Sequence, residues 1–203
     1  MFPLLTHAFA ELSEDFHTLQ NWEGFDNPFV VTENLDLKNE LGINNLCDQQ
    51  LLNIFNGTEK IESLKPLSMV YSGHQFGQYV EQLGDGRGLL LGQMSSNSGL
   101  IDIHLKGAGK TPYSRFGDGR AVLRSVIREY LCGEAMHALS IPTSRALMII
   151  GSDEMVIREK SESAAILART AKTHIRFGSF EYFHYNNQPE NVKALADFCI
   201  DQY

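Results

Sequence analysis

Gly84-Asp85-Gly86-Arg87-Gly88, followed by the apolar run Leu89–Met94 and then by Leu100-Ile101-Asp102-Ile103-His104-Leu105-Lys106, is the stretch on which the reading of the fold turns. Three glycines in five residues have the composition of a tight turn. The two runs that follow are short, aliphatic and bounded by turn-forming clusters, as strands are. With Tyr79–Leu83 ahead of the glycines and Ser95–Gly99 as the second break, the pattern predicts three strands joined as an antiparallel meander. The glycines admit two readings here: an ordinary hairpin turn, or a loop whose bare backbone approaches a phosphate and offers it N–H donors. A dinucleotide fingerprint is disfavoured, because that motif must open a helix and Leu89–Met94 reads as strand.

Downstream, Gly107-Ala108-Gly109-Lys110-Thr111 imitates a Walker A loop and fails as one. The pattern needs glycine where this chain has His104, and Pro112 obstructs the helix that should follow. A loop Gly107–Gly119 leads into a helix predicted over Ala121–Leu139, with Leu123, Ile127, Tyr130, Leu131, Ala135 and Leu139 at helical spacing. A second hairpin is expected from Arg145–Ile150 through Gly151-Ser152-Asp153 to Met155–Arg158, then a strand through Ala165–Arg169. Pro189 opens a last helix, Glu190–Tyr203. Upstream, Met1 to about Leu67 mixes short helical patterns with loops, one helix ending near Gly57, and reads as a segment that wraps and packs.

Lys106 closes the alternating strand Ile101, Ile103, Leu105 and lies two strands after the glycines, where a kinase places its phosphate-gripping lysine. That architecture demands a helical glutamate to hold the ammonium, and Glu129 sits mid-helix, with Glu134 as the rival. Each residue alone reads equally as a solvated strand end or a surface helix position; together, in this element order, they predict the pair. Asp118-Gly119 precedes the helix and reads as its N-cap, without excluding ligand contact. Arg169 and Arg176 are permanent cations suited to a polyphosphate or to surface ion pairs. His74, His104 and His174 lack metal-ligand spacing and read as ordinary hydrogen-bonded histidines.

The chain has 203 residues, 43% hydrophobic and 21% charged, which suits one globular core or two small ones. A net charge of -8 argues against a surface built to neutralise nucleic acid, while leaving room for a local cluster that binds a small anion. No run approaches the roughly 18 apolar residues of a membrane span, and Met1–Glu11 lacks a signal-peptide pattern. Cys47, Cys132 and Cys199 are odd in number and far apart, so reduced thiols in a cytoplasmic protein are expected.

Several runs together are specific. Tyr71-Ser72-Gly73-His74-Gln75-Phe76-Gly77, Gln82-Leu83-Gly84-Asp85-Gly86-Arg87, Leu105-Lys106-Gly107-Ala108-Gly109, the long run Thr111–Ser125, Ile127-Arg128-Glu129-Tyr130-Leu131 and His174–Glu181 resemble the selenoprotein O family of kinase-fold adenylyltransferases. The resemblance implies an α+β fold: a protein-kinase-like N-lobe with an antiparallel sheet and one αC-type helix. Residues 1–70 would form an N-terminal wrapping segment, 71–185 the nucleotide-binding lobe and 186–203 the start of a helical C-lobe. It implies transfer of AMP from ATP to Ser, Thr or Tyr hydroxyls of proteins, with ATP inverted relative to ordinary kinases. Gly84, Gly86 and Arg87 match the family's loop contacts to ATP, Lys106 its phosphate lysine and Glu129 the partner of that lysine. Asp118, Gly119, Arg169 and Arg176 match its remaining nucleotide contacts; Gly88 stands where the family commonly has alanine. The catalytic Asp and the Mg2+ ligands of such enzymes are expected beyond the position of Tyr203, which makes the chain alone an inactive portion. The alternative is a non-catalytic module that holds a nucleotide or a partner protein.

Overall fold

The computed structural model describes residues 3, 5–61, 64–96 and 99–203. In chain order its strands and helices are β1 (His17–Leu19), β2 (Phe29–Glu33), α1 (Leu35–Glu40), α2 (Asp48–Asn56), β3 (Leu67–Met69), β4 (Gly73–Gln75), β5 (Gln78–Val80), β6 (Gly88–Ser96), β7 (Gly99–Lys106), β8 (Ala121–Val122), α3 (Leu123–Ala138), β9 (Arg145–Ile157), β10 (Ser161–Ala171), α4 (Phe177–Tyr185) and α5 (Pro189–Gln202). The class is α+β. One sheet runs in the order β1-β3-β6-β7-β10-β9-β2, with β8 attached to β10, and its neighbours pair antiparallel.

The alternation of β7 sorts the layers. Ile103 and Leu105, with Leu89 of β6, Ile166 and Ala168 of β10 and Met148 and Ile150 of β9, face a layer formed by Leu37, Leu41, Leu51, Ile54 and Phe55 of the N-terminal segment. Fully burying each such aliphatic side chain contributes about 1.5–3 kcal/mol. On the other face, Ala165, Leu167 and Ile149 receive Leu123, Val126 and Tyr130 of α3. Beside them Leu67 and Leu90 receive Phe183 of α4 and Leu195 of α5. The N-terminal segment therefore does more than pack: it supplies both edge strands, β1 and β2, as well as one helical layer.

Four expectations are corrected. Tyr79–Leu83 is not the first strand of a meander: among the described residues β5 pairs with β4 alone, across a turn at Phe76-Gly77, and the place beside β6 belongs to β3, with Leu67 opposite Leu90. Leu83 and Gly84 donate their N–H groups to Tyr71 O instead of a strand neighbour, which bends the chain away. Gly151-Ser152-Asp153 is not a hairpin turn but the middle of β9, continuous through a bulge against β10. A Cβ at Gly151 would lie 2.6 Å from Phe29 Cε2, so the glycine makes room for the edge strand's ring. On α3 Leu123 and Tyr130 pack on the sheet as expected, but the buried residue between them is Val126, whereas the expected Ile127, Leu131 and Leu139 are exposed. Finally, the helix begins at Leu123 with Val122 as its N-cap, because Ala121–Val122 pairs with β10; Asp118 therefore does not cap it. The β6–β7 hairpin is present, but residues 97 and 98 of its expected turn lie outside the described residues. The helix ending at Gly57 and the helix begun by Pro189 are found where the sequence puts them.

Candidate functional site

Asp102, His104 and Lys106 occupy the polar face of β7, opposite Ile103 and Leu105. The antiparallel register sets Arg169 of β10 opposite His104 and Leu167 opposite Lys106, so Arg169 projects beside them. The α3 helix crosses this face and brings Glu129 to the lysine: Lys106 Nζ is hydrogen-bonded to Glu129 Oε2. Arg169 Nη1 donates to the other carboxylate oxygen, Oε1, at 2.7 Å. One carboxylate thus bridges two cations, the three side chains being only 17–25% exposed. Burial lowers the pKa of the Lys106 ammonium, and the nearby Arg169 and Arg87 add to the lowering while Glu129 opposes it. Burial disfavours the charge of Glu129, but Arg169 and Lys106 outweigh that and hold its carboxyl below the usual range. Glu134, the rival, is engaged elsewhere, with Arg145 Nη2 at 2.8 Å.

The glycine loop lies against the same sheet face and is fixed from behind. Asp85 is fully buried; its Oδ2 accepts from Met69 N at 3.1 Å and its Oδ1 from Tyr71 Oη at 3.3 Å. Burial opposes its charge, yet His104, Arg176 and the Met69 N–H together hold the carboxyl far below its ordinary value. Thr111 Oγ1 donates to Asp85 O at 2.8 Å and Ser114 Oγ to Gly86 O at 2.6 Å, laying the Gly107–Gly119 loop onto the glycines. A Cβ at Gly84 would meet Tyr113 Cγ at 2.4 Å, and one at Gly86 would meet Tyr113 O at 2.8 Å. The glycines are therefore required by this packing, whatever else they touch.

Arg87 is exposed at the end of the loop, its carbonyl accepting from Gly107 N at 2.7 Å. Asp118 is gripped by both terminal nitrogens of Arg158, at 2.7 and 2.8 Å, and receives Arg120 N at 2.9 Å. Gly119 adopts a left-handed φ of 74°, and a Cβ there would lie 2.1 Å from Gly109 C, so the pair Asp118-Gly119 pins the long loop shut. Arg176 stacks on the Tyr71 ring at 4.1 Å and stands 3.9 Å from Asp85 Oδ1. The structure thus gathers Lys106, Glu129, Arg169, Arg176 and Asp85 into one polar region, with Arg87 within electrostatic reach of Lys106.

Arg169 and Arg176 also line a cleft of about 840 Å³ with Lys172, His137, Ser140 and Thr143, and among the described residues no carboxylate faces it. A second cleft of about 830 Å³, walled by Asp26, Glu59 and Asp153, has no cation in its lining among the described residues and would repel phosphates. Among the described residues no group of three or more His, Cys, Asp or Glu is arranged to hold a metal ion. The carboxylates nearest the lysine are already engaged by cations, so they do not fit a magnesium site. No helix among the described residues is long and apolar enough to cross a membrane. The three cysteines form no disulfide with one another.

Reading the residues alone took His104 for an ordinary hydrogen-bonded histidine and gave Asp85 no role of its own. The available signal was the strict polar alternation Asp102, His104, Lys106 in a strand whose neighbours bury both faces, since a polar stripe inside a covered sheet demands partners.

A family profile described as "Protein adenylyltransferase SelO" matches residues 4–203. Among curated relatives, the "Protein nucleotidyltransferase YdiU" of Vibrio parahaemolyticus is 51% identical over 197 residues, which is 97% of this chain and 40% of the relative. The protein of the same description from Vibrio vulnificus (strain YJ016) is 52% identical over 197 residues, 96% of this chain and 40% of its own. That from Enterobacter sp. (strain 638) is 51% identical over 191 residues, again with 40% of the relative covered. The chain spans about 40% of the length of these relatives.

Proposed function

The chain belongs to the SelO family, and on that premise we propose that it is the ATP-gripping part of a protein adenylyltransferase with a kinase-like lobe. In this reading residues 71–185 form the nucleotide-binding lobe, residues 1–70 buttress it and 186–203 begin a helical second lobe. Lys106, held by Glu129 and flanked by Arg169, grips phosphate oxygens. Gly84, Gly86 and Arg87 border the nucleotide, and Arg176, Asp118 and Gly119 complete its surroundings. In the complete enzyme a Ser, Thr or Tyr hydroxyl oxygen of an acceptor protein attacks the α-phosphorus. The bond from that phosphorus to the α,β-bridging oxygen breaks, pyrophosphate leaves with the bonding pair, and the hydroxyl proton passes to the carboxylate of the catalytic Asp. Bound magnesium would neutralise charge on the departing pyrophosphate, and we assign its ligands and the catalytic Asp to the remaining length of proteins of this family.

The observation that carries the reading is the Lys106–Glu129 ion pair, reinforced by Arg169, on the sheet face that also holds the glycine loop. Such a pair keeps an ammonium in register for phosphate while preventing its collapse onto other acceptors. A second reading, a module that holds nucleotide without chemistry, draws on one fact: Glu129 and Asp85 are both spent on cations, leaving neither as a general base. Calorimetry with ATP, on this chain and on its Lys106→Ala variant, tests nucleotide binding; the proposal expects heat in the first and its loss in the second. ATP labelled at the α- or the γ-phosphate, given to the complete protein with magnesium and an acceptor, tests the chemistry. Adenylyl transfer marks the acceptor only from the α-label, whereas marking from the γ-label would mean an ordinary kinase. The 203-residue chain is expected to bind without transferring, and robust AMP incorporation by it would overturn that part.

A further inference from the structure

A line of polar side chains, Glu129, Arg169, His104 and Asp85, runs from the lysine's carboxylate to the back of the glycine loop. Arg169 spans its first half, donating from Nη1 to Glu129 Oε1 at 2.7 Å and from Nε to His104 Nδ1 at 3.3 Å. A ring nitrogen that accepts an N–H carries no proton, so the imidazole proton of His104 sits on Nε2. That nitrogen is fully buried, has no hydrogen-bond partner among the described residues, and lies 3.6 Å from Asp85 Oδ2. Asp85 continues the line through Met69 N, Tyr71 Oη and the loop backbone. The ring cannot swing elsewhere: His174 stacks on it at 4.5 Å, itself held by Asp102, and a Cβ at Gly88 would lie 2.6 Å from its Cε1.

If this position were only packed, an apolar side chain would fill it without leaving a buried donor a few tenths of an ångström beyond hydrogen-bond reach of a carboxylate. We propose that His104 is a positioning residue that couples the glycine loop to the Lys106–Glu129 pair, accepting from Arg169 on one side and turning its Nε2–H on Asp85 on the other. Loop and lysine then hold one geometry, and a nucleotide phosphate meets both at once. The coupling is a property of the chain itself; its consequence for ATP rests on the nucleotide reading above.

Two substitutions separate the coupling from mere packing. His104→Gln keeps one acceptor and one donor, while His104→Leu keeps neither. The readout is amide hydrogen exchange in this chain at Asp85 and Gly88, whose N–H groups bond to Met69 O and Asp85 O. His104→Leu is expected to speed exchange at these two amides by about 10-fold or more while leaving the β9 amides within about 2-fold, and His104→Gln is expected to stay within about 3-fold of wild type throughout. Equal effects of the two variants, or none at the loop, would overturn the proposal. If His104→Leu does not fold, imidazole 15N shifts of the unaltered chain stand in. A proton on Nε2 with Nδ1 bare is expected, and a proton on Nδ1 refutes the coupling. Calorimetry with ATP provides the second arm, with about 10-fold weaker binding expected for His104→Leu and recovery in His104→Gln. No ATP heat from wild type, with the exchange result intact, would sink the nucleotide reading and leave the coupling standing. ATP binding that needs Lys106 but ignores His104→Leu, with loop exchange unchanged, would sink the coupling alone.

Discussion

Glu129→Gln preserves the shape of the side chain and deletes its charge, leaving Lys106 and Arg169 to face each other across a neutral amide. Removing one partner of a fully buried ion pair costs about 3–5 kcal/mol, and of an exposed pair about 0–1 kcal/mol. Here the side chains of Lys106, Glu129 and Arg169 are 20%, 25% and 17% exposed. The loss should therefore fall between those limits, at about 2–3 kcal/mol. For a chain of this size each kcal/mol moves the midpoint by roughly 2–4 °C, so Tm should drop by roughly 4–12 °C. The pH dependence has a definite sign. The folded-state pKa of Glu129 is depressed, so its contribution is present above the unfolded value of about 4.3 and is lost as pH falls through the lower folded one. Scanning calorimetry from pH 8 to pH 4 should find a constant gap between wild type and variant at neutral pH that narrows only at the acid end. Glu134→Gln, which removes the partner of Arg145 instead, should spare ATP binding while Glu129→Gln abolishes it. A Glu129→Gln protein melting within about 1 °C of wild type would refute the reasoning, because surface substitutions without a structural role behave that way.

Gly119→Ala should cost more than about 3 kcal/mol or prevent folding, since its Cβ would lie 2.1 Å from Gly109 C at a left-handed φ of 74°; a circular-dichroism melt unchanged from wild type would contradict the close approach. His7, His17, His104 and His174 all have pKa values lowered, burial being the first cause in each. Their folded values lie below the unfolded value of about 6.5, so stability is fully present above that pH and is lost below it, by up to about 1.4 kcal/mol per pH unit for each histidine. Urea unfolding at pH 7.5, 6.5 and 5.5 should show a progressive fall, and a flat series would be inconsistent with neutral burial. Asp118→Asn should cost under about 1 kcal/mol, because its bidentate contact with Arg158 is well hydrated, 39% and 29% exposed; a loss above about 2 kcal/mol in the same assay would show the pin to be stronger than its hydration allows.

The strands β6, β7 and β10 and the helices α2, α3 and α5 were legible because each couples a clear apolar period to a turn or cap signal. Lys106 and Glu129 were legible as a pair because element order, once right, places a strand end beside a helix middle. Other features depend on contacts distant in sequence. Nothing local says that β6 pairs with β3, Leu67–Met69, instead of Tyr79–Leu83, since both segments are short and apolar in part. Gly151 carried turn composition but serves the ring of Phe29, more than a hundred residues upstream. On α3 the inner stripe keeps Leu123 and Tyr130 from the predicted one but takes Val126 in place of Ile127, which with Leu131 is exposed, because apolar spacing alone does not say which of two adjacent aliphatic residues faces the sheet.

The glycines, which first suggested a phosphate, prove to be weak witnesses, since Tyr113 and His104 occupy the space that side chains at positions 84, 86 and 88 would need. What distinguishes the site is its charge against the background of the whole chain. A protein with net charge -8 should by chance wall its clefts with acid, as Asp26, Glu59 and Asp153 do in one of them. The other cleft instead presents Arg169, Lys172 and Arg176 with no carboxylate among them, and Arg169 continues from it to the Glu129 that holds Lys106. Gathering cations against the global field costs repulsion that only a nearby anion offsets. Glu129 and Asp85 each offset part of it from inside, and the remainder faces solvent, where a polyphosphate would complete the neutralisation.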